Sequence, residues 1–232
     1  MNNYVIIDGR FKSIGEELKK YGFNVILTKK NMKVYDAISF HPDIQLFVDE
    51  EEKKIFVDKQ FYEYYAKRIK GYEIIEGEAV EGGYPNSAKY NAVKFEKKVV
   101  HNFKYTEKNI LKHIEKKKYK KIDVKQGYTN CNIINLKDKL ITEDNGIYKN
   151  LKNRGEKILK LNKVEVDLIG MNYGFIGGAT GFFENKLFFT GEIKKNPYYI
   201  KIKEFVGNNV EMVSLNLGRL QDVGTIIFMR GN

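Results

Sequence analysis

The sequence predicts an α/β protein built from five copies of a strand–helix–strand–strand unit that closes into a ring. Three observations support this fold class. A strand-like run recurs along the chain, each copy is followed by a helix-like stretch and two further runs, and the chain ends where a closing strand is needed. The 232 residues, 42% of them hydrophobic, suffice for a single domain spanning residues 1–232.

The first strand of each unit is a short β-rich run. The runs begin at residues 4, 54, 98, 139 and 186, so the unit repeats at roughly 45 residues, as repeat architectures do. They are Tyr4–Ile7, Lys54–Val57, Lys98–His101, Lys139–Thr142 and Lys186–Phe189. The alternative, an ordinary doubly wound parallel sheet, would not repeat all parts in one order five times.

A helix-like stretch follows each first strand. In the first unit Ile14 and Leu18 recur at helical spacing. Thr106, Asp144 and Asn196 stand where the third, fourth and fifth helices would begin, so we expect them to act as N-caps. Four of the helices are expected to stop at glycines: Gly22, Gly71, Gly155 and Gly207.

Two more apolar runs complete each unit, and both are predicted to be strands. The second runs are Phe23–Leu27, Tyr72–Ile75, Ile122–Val124, Ile158–Leu161 and Val210–Leu215. The third runs are Ile44–Val48, Tyr90–Phe95, Cys131–Leu136, Gly181–Phe183 and Gly224–Met229. Tight polar turns join four of the third runs to the next first strand, which is typical of hairpins.

The two ends of the chain are predicted to pair with each other. The first unit opens without a hairpin partner, and the fifth ends at its third strand. Pairing Ile226–Met229 beside Tyr4–Ile7 would remove the exposed sheet edges of an open array. We therefore expect a closed five-bladed ring.

Composition narrows the class of protein but not its partner. The formal net charge is +11, from 41 Lys+Arg against 30 Asp+Glu, which permits binding to nucleic acid or ribosomes. The lysine runs fall at predicted helix ends and turns, where solvated lysines are common, so we expect weak nucleic-acid affinity. The chain has no long apolar segment and no signal-peptide pattern at Met1–Tyr4, which predicts a cytoplasmic protein without membrane contact.

The order of elements resembles the pentein superfamily, which includes the guanidino-group-modifying enzymes and has a five-bladed pseudo-symmetric α/β propeller fold. Several strings are also similar to uncharacterised clostridial-type proteins assigned that fold. These strings are His41-Pro42-Asp43-Ile44, Tyr84-Pro85, Asn91-Ala92-Val93, Lys125–Cys131, Tyr173–Gly178 and Leu220–Gly224. The resemblance covers nearly the whole chain and implies an axial pocket for a cationic guanidino- or amino-bearing molecule.

The catalytic pattern of those enzymes is only partly present. The resemblance implies a cysteine nucleophile in the last unit, where this chain has Asp222-Val223. It also implies a histidine in an earlier unit. In this chain the third unit has Tyr128 and Asn130 near the place of that histidine. Pro42-Asp43 followed by Phe47-Val48-Asp49-Glu50 resembles the segment of the first blade in which acidic residues face the substrate. The usual reaction is therefore in doubt.

The candidate site lies where the loops before the third strands converge on the axis of the ring. Aligning the hairpins puts Asp43 and Cys131 at equivalent positions. Cys131 is the candidate nucleophile and His41 its base, and both are predicted to be catalytic; proximity to His41 would lower the pKa of the thiol. The predicted substrate-binding residues are Asp43, Asp222, Tyr128, Asn130, Asn91 and Arg219, whose carboxylates would hold a guanidinium by charge-assisted hydrogen bonds.

Alternatives remain open for each of these residues. A lone cysteine beside an apolar run is often a small buried hydrophobe, and His41 before Pro42 can serve loop conformation. His101 and His113 are expected at the surface or at strand ends. Three histidines and one cysteine do not make a usual His/Cys zinc site, so neither a metal nor another cofactor is predicted.

Two function classes follow from these observations. The first is a small-molecule enzyme or binding protein. As an enzyme it would be a cysteine-dependent hydrolase or transferase. The second is a non-enzymatic ribosome- or nucleic-acid-associated propeller that uses its basic exterior. The sequence decides neither the enzymatic status nor the oligomeric state.

Overall fold

The computed structural model describes residues 3–231 as a mixed α/β protein with repeated three-stranded sheets. Met1 and Asn2, on which the signal-peptide expectation partly rested, and Asn232 lie outside the described residues. The strands of this part of the chain form five three-stranded sheets and one two-stranded sheet. This division into small sheets is incompatible with a single doubly wound sheet.

Each three-stranded sheet has the same internal order, with a first strand in the middle. The first strands are β1 (Tyr4–Ile7), β4 (Lys54–Asp58), β7 (Lys98–His101), β10 (Leu140–Thr142) and β14 (Lys186–Phe189). The second strands, which pair parallel to them, are β2 (Asn24–Leu27), β5 (Glu73–Gly77), β8 (Lys120–Asp123), β11 (Ile158–Lys160) and β15 (Glu211–Ser214).

The third strands pair antiparallel on the other side of the first strands. They are β3 (Leu46–Asp49), β6 (Val93–Phe95), β9 (Ile133–Asn135), β13 (Thr180–Phe183) and β17 (Ile227–Met229). The two-stranded sheet, which the sequence did not predict, joins β12 (Val166–Asp167) to β16 (Leu220–Gln221). It therefore links the loops before the last two third strands.

The predicted pairing of the two ends of the chain is confirmed. Strand β17 runs antiparallel to β1, with Tyr4 opposite Met229 and Ile6 opposite Ile227. The sheet order is β17-β1-β2, so the last strand supplies the hairpin partner that the first unit lacks. The first and last segments of the described chain are thus held together by backbone hydrogen bonds.

Helices connect the parallel strands and cover the sheets. These crossover helices are α1 (Lys12–Lys20), α3 (Tyr62–Ala66), α4 (Lys108–Lys116), α6 (Asn145–Lys152) and α7 (Tyr199–Val206). In α1 the buried side chains Ile14 and Leu18 are four residues apart and face the strands, while the lysines at the end of the helix are exposed. This spacing gives the apolar stripe by which an amphipathic helix packs on a core.

The predicted helix caps are only partly correct. The Asp144 carboxylate accepts a hydrogen bond from the Ile147 backbone N–H, as predicted. The third helix is capped instead by Glu107, whose side chain accepts from the Ile110 N–H. Thr106, the predicted cap, bonds to the His101 ring, so a tertiary contact overrides the local pattern.

The four hairpin turns share a backbone feature that the sequence conceals. One residue in each turn has a positive φ, although none is glycine: Lys53, Glu96, Lys137 and Glu184, with φ between 47° and 73°. A hairpin turn needs this conformation to match the twist of its strands. The backbone conformation of these turns therefore repeats as well, although the residue types in the turns did not predict it.

Four third strands, β3, β6, β9 and β17, begin two or three residues later than predicted, and a short helix directly precedes two of them. Residues Pro42–Gln45 form the short helix α2, and Thr129–Asn132 form the short helix α5. Asp43 and Cys131 therefore lie in single helical turns directly before β3 and β9, not in the strands. Each turn aims its side chains at neighbouring units rather than along the strand.

Residues of all five third strands line one cavity of about 160 Å³. The polar residues that line it include Asn130 and Thr225. Asn130 directly precedes Cys131, and Thr225 hydrogen-bonds to Asp43. The cavity is therefore adjacent to the predicted site. Among the described residues, no helix is long and apolar enough to cross a membrane.

Candidate functional site

Asp43 is a buried carboxyl group at the centre of the candidate site. Its Oδ2 accepts hydrogen bonds from Cys131 Sγ at 3.0 Å and from Thr225 Oγ1 at 3.0 Å. Its Oδ1 is buried and has no partner in the described chain. Burial raises the pKa of Asp43 to about 8, and the Asp222 carboxylate also raises it. Asp43 thus retains an oxygen for a further group.

Cys131 contacts Asp43 although 88 positions separate the two residues in the sequence. Its Sγ also accepts a hydrogen bond from Asn91 Nδ2 at 3.3 Å. Asn91 Oδ1 accepts from the backbone N–H groups of Asn130, at 2.7 Å, and Cys131, at 3.2 Å. Asn91 therefore fixes the helical turn that carries the thiol.

The thiol is not activated in this arrangement. Burial raises the pKa of Cys131 well above its usual value, and the charges of Asp43 and Asp222 raise it further. The expectation that proximity to His41 lowers this pKa is therefore wrong for the structure as it stands, because burial and two carboxyl groups outweigh a neutral imidazole. Activation would need a positive charge beside the sulfur.

His41 lies in the same cluster and has unused hydrogen-bonding capacity. Its side chain is 1% exposed, and neither ring nitrogen has a hydrogen-bond partner within the described chain. The Nε2 atom lies 3.9 Å from Asp8 Oδ2, and Nδ1 lies 4.0 Å from Asp222 Oδ1. Burial lowers the pKa of His41 to about 3, and the Arg10 charge adds to this effect, so the ring is neutral.

Asp222 is held rigidly by backbone groups. Its Oδ2 accepts from the Phe175 N–H at 2.8 Å and its Oδ1 from the Gly224 N–H at 3.0 Å. Gly174 and Gly178 lie so close to this side chain that a Cβ at either position would overlap it. Burial raises the pKa of Asp222 to about 6. The glycine-rich segment therefore packs closely around the Asp222 carboxylate.

Sequence reasoning missed one pair of residues at this site. The side chain of Asp8, which was not among the predicted site residues, is fully buried beside His41. Arg10 binds it through both carboxylate oxygens, with Nε at 3.0 Å from Oδ1 and Nη2 at 2.5 Å from Oδ2. Arg10 also donates to the backbone oxygens of Asp36 and Ala37. The signal was an acid directly after a buried strand, followed by an arginine.

Two tyrosines adjoin the cluster on its outer side. The hydroxyl groups of Tyr35 and Tyr128 are 3.0 Å apart, and Tyr128 also bonds Ser87 Oγ at 2.5 Å. Burial raises the pKa of both tyrosines. Tyr35 is 38% exposed, so this pair separates the cluster from solvent.

One predicted binding residue is not brought to the cluster. The Arg219 side chain is 65% exposed and pairs with Glu165 at 2.8 Å and Asp167 at 3.4 Å. It lies beside the two-stranded sheet formed by β12 and β16, whose presence the sequence did not predict. The structure does bring Asp43, Cys131, His41 and Asp222 together, with Asn91 in contact and Asn130 on the adjoining cavity. The Tyr128 hydroxyl bonds Tyr35 and Ser87 instead.

The other two histidines are buried. His101 ends strand β7, as one form of the expectation had it, whereas His113 lies within helix α4, so the expectation is wrong for His113. His101 bonds Thr106 Oγ1 at 2.6 Å and the Gly127 carbonyl at 2.9 Å. His113 Nε2 lies 2.8 Å from Asp49 Oδ2. Asp49 is therefore used within the fold and does not face the candidate site. All these polar groups have partners, which distinguishes them from His41.

The cluster also contains a donor set suited to a metal. One donor atom each from His41, Cys131 and Asp222 lies within 4.8 Å of the other two, and all three side chains are buried. The sequence argument against a zinc site counted histidine and cysteine alone. The carboxylate of Asp222, brought from far along the chain, completes a three-residue set of mixed type.

Comparisons with known proteins give a family but no activity. A family model described as a family of unknown function (DUF6873) matches residues 6–227. No curated protein and no solved structure matches the chain. The match includes all the residues of the cluster, from Asp8 to Thr225.

Proposed function

We propose, for a chain that belongs to the DUF6873 family of unknown function, that the Asp43–Asp222 cluster binds a small molecule with a guanidino or amino cation. The observation that carries the proposal is the unpartnered, buried Asp43 Oδ1 next to a second buried carboxylate. A buried carboxyl without a partner is costly unless a donor or cation meets it. A guanidinium would supply both hydrogen-bond donors and a positive charge.

The charge balance around the cluster supports a cationic ligand. Within residues 3–231, no lysine or arginine forms an ion pair with Asp43 or Asp222, and the nearby Arg10 is bound to Asp8. Burial holds the pKa of both carboxyl groups above the ordinary value. A bound cation would offset that cost and make charge-assisted hydrogen bonds to both acids.

The fold is part of this proposal. We infer that the five units are the blades of a pentein-like α/β propeller forming a single domain. Support comes from the β17–β1 pairing and from the one cavity that all five third strands line. In such an arrangement the loops before the third strands meet on the axis, where the cluster is found.

Cys131 is the proposed nucleophile of this site. Its sulfur would attack the guanidino carbon, the C–N bond to the amine would break, and the thiol proton would pass to the departing amine. Water would then attack the same carbon and the S–C bond would break. One proton of this water would return to the sulfur through neutral His41, and urea would leave as the other proton passes to solvent. Transfer to a second amine instead of water would make the protein a transferase. The cation itself would lower the pKa of the thiol on binding.

Binding of methylguanidinium and its neutral isostere methylurea tests the binding part. Because only methylguanidinium carries a positive charge that pairs with the carboxylates, we expect it to bind at least about 10-fold more tightly. The measurement is calorimetric titration of the folded protein. Asp43→Asn should abolish the preference, whereas Asp36→Asn, at an exposed acid, should keep it. Equal affinity for the two compounds would refute a cation site.

Turnover tests the role of Cys131. Agmatine and methylguanidinium are incubated with the protein, and the released amine is measured. We expect release by the wild type and a loss of at least about 100-fold in Cys131→Ser, since an alcohol at this position is a far weaker nucleophile than a thiol. Asp36→Asn again serves as the control. Binding without amine release from either compound would leave a binding protein and remove the nucleophile.

The nucleic-acid alternative is not favoured by a specific feature of the surface. Several of the lysines that suggested it are paired with acids, such as Lys19 with Glu16 and Lys20 with Glu17, both at 2.6 Å. Lys33 likewise pairs with Glu81. Paired surface charges leave less positive potential for phosphates. This partner class stays a prediction from composition.

A further inference from the structure

Three side chains of different donor type meet at one point of the candidate site. They are the His41 imidazole, the Cys131 thiol and the Asp222 carboxylate, and one donor atom of each lies within 4.8 Å of the others. They come from three loops far apart in the sequence. Their exposed fractions are 1%, 4% and 1%, so water does not reach them freely.

The imidazole is the most telling member of this group. Both of its ring nitrogens are buried without a hydrogen-bond partner in the described chain. A buried polar group without a partner costs free energy, and such groups usually have an additional role. Gly224 leaves no room for a Cβ beside the His41 ring, so the ring is packed closely in this orientation. The ring is thus held in place with both nitrogens available.

The surroundings match those of a metal ligand set. Asp222 retains lone pairs on both oxygens after its two backbone hydrogen bonds, which hold it in place. His41 Nδ1 points toward Asp222, while Nε2 lies 3.9 Å from the Asp8 carboxylate that Arg10 holds. Ligating histidines commonly turn their second nitrogen to such a carboxylate.

We propose that His41, Cys131 and Asp222 bind one zinc-like divalent cation. A nitrogen, a thiolate and a carboxylate together suit Zn²⁺ rather than Mg²⁺ or Ca²⁺, which take oxygen ligands. Ligand atoms around a tetrahedral zinc lie roughly 3.3 to 3.8 Å apart, given bonds of about 2.0 to 2.3 Å. Closure by about 1 Å from the observed separations would complete the set.

The fourth position has a candidate as well. Asp43 Oδ1 is unpartnered and buried, and its other oxygen is bonded to Cys131 Sγ. Either this oxygen or a water molecule would complete the tetrahedron, which is the arrangement of a zinc site with three protein ligands. Zinc and a guanidinium would bind to the same acidic groups, so only one of them could occupy the site at a time. The metal inference rests on the donor set and does not require the proposed function.

Cobalt and zinc titrations of metal-free protein test the inference. We expect one Co²⁺ per chain with a sulfur-to-cobalt charge-transfer band, and displacement of Co²⁺ by Zn²⁺. Cys131→Ser should abolish the band, which no other residue can supply because Cys131 is the only cysteine. Loss of this ligand should weaken zinc binding at least about 100-fold, since even outer partners are worth 10- to 100-fold.

Matched variants keep the two proposals separate. Asp222→Asn is nearly isosteric and should weaken zinc binding even if His41→Ala fails to fold, whereas Asp36→Asn should leave it unchanged. Asp43→Asn should keep the sulfur–cobalt band while losing methylguanidinium preference. Zinc bound with unaltered affinity by Cys131→Ser, or cobalt bound without the band, would overturn the metal site. Failure of the methylguanidinium test alone would leave it standing.

Discussion

Asp43→Asn is expected to stabilise the protein much more at pH 8 than at about pH 5. The folded-state pKa of Asp43 is about 8, above its ordinary value of 3.8, because the carboxyl group is buried. The folded state therefore holds a proton that the unfolded state releases. This stabilising contribution is complete below the unfolded pKa and is lost as pH rises through the folded pKa. Asparagine removes the titration and keeps the shape of the side chain.

The gain is expected to be larger at pH 8 than at pH 5 by on the order of 4 kcal/mol, since both values lie between the unfolded and the folded pKa and each pH unit there is worth about 1.4 kcal/mol. It is measured as the difference in free energy of unfolding from urea titrations at the two pH values. Asp36→Asn is the matched control, because its side chain is 85% exposed and paired only with Lys30. If Asp43→Asn is as stable as the wild type at both pH values, or less stable at pH 8, Asp43 is not a strained buried acid.

Gly178→Ala is expected to be the most damaging single methyl addition near the site. A Cβ at Gly178 would overlap Asp222 Oδ1 and Cγ. Asp222 cannot move away freely, because the Phe175 and Gly224 N–H groups hold both of its oxygens. The Gly178 backbone is also tied, since its carbonyl accepts from the N–H groups of Val223 and Thr225. Overpacking of this kind should cost about 3 kcal/mol of stability.

A double-mutant cycle distinguishes this collision from a general intolerance to alanine. Asp222→Ala removes the colliding group, so the combined variant should lose less stability than the sum of the single variants, by about 1 to 3 kcal/mol. Gly83→Ala is the control, because no atom lies within 4 Å of its Cβ position and it has no positive φ. The free energy of unfolding is measured by urea titration for the wild type and for each of these variants. Additive losses, or a Gly178→Ala variant as stable as Gly83→Ala, would contradict the packing argument.

The repeat could be read from the sequence because it depends on short-range patterns. Alternating apolar runs, the Asp144 cap and the missing partner at each end sufficed for the units and for the β17–β1 pairing. The conformation of the turns was harder to predict from the sequence, because Lys53 and Glu96 adopt positive φ without being glycine or asparagine. The two-stranded sheet of β12 and β16 was missed for a related reason. Pairs of two residues carry too little pattern to detect.

The sequence by itself determined that Asp43, Cys131, His41 and Asp222 belong to corresponding loops, which is why their meeting could be expected. Only the tertiary structure decided their chemistry. Burial of the whole group reverses the expected effect of His41 on the thiol, because desolvation in a folded interior exceeds the influence of one neutral neighbour. The Arg10–Asp8 pair, the unpartnered imidazole and the exclusion of Arg219 likewise depend on distances between remote segments, which no local pattern encodes.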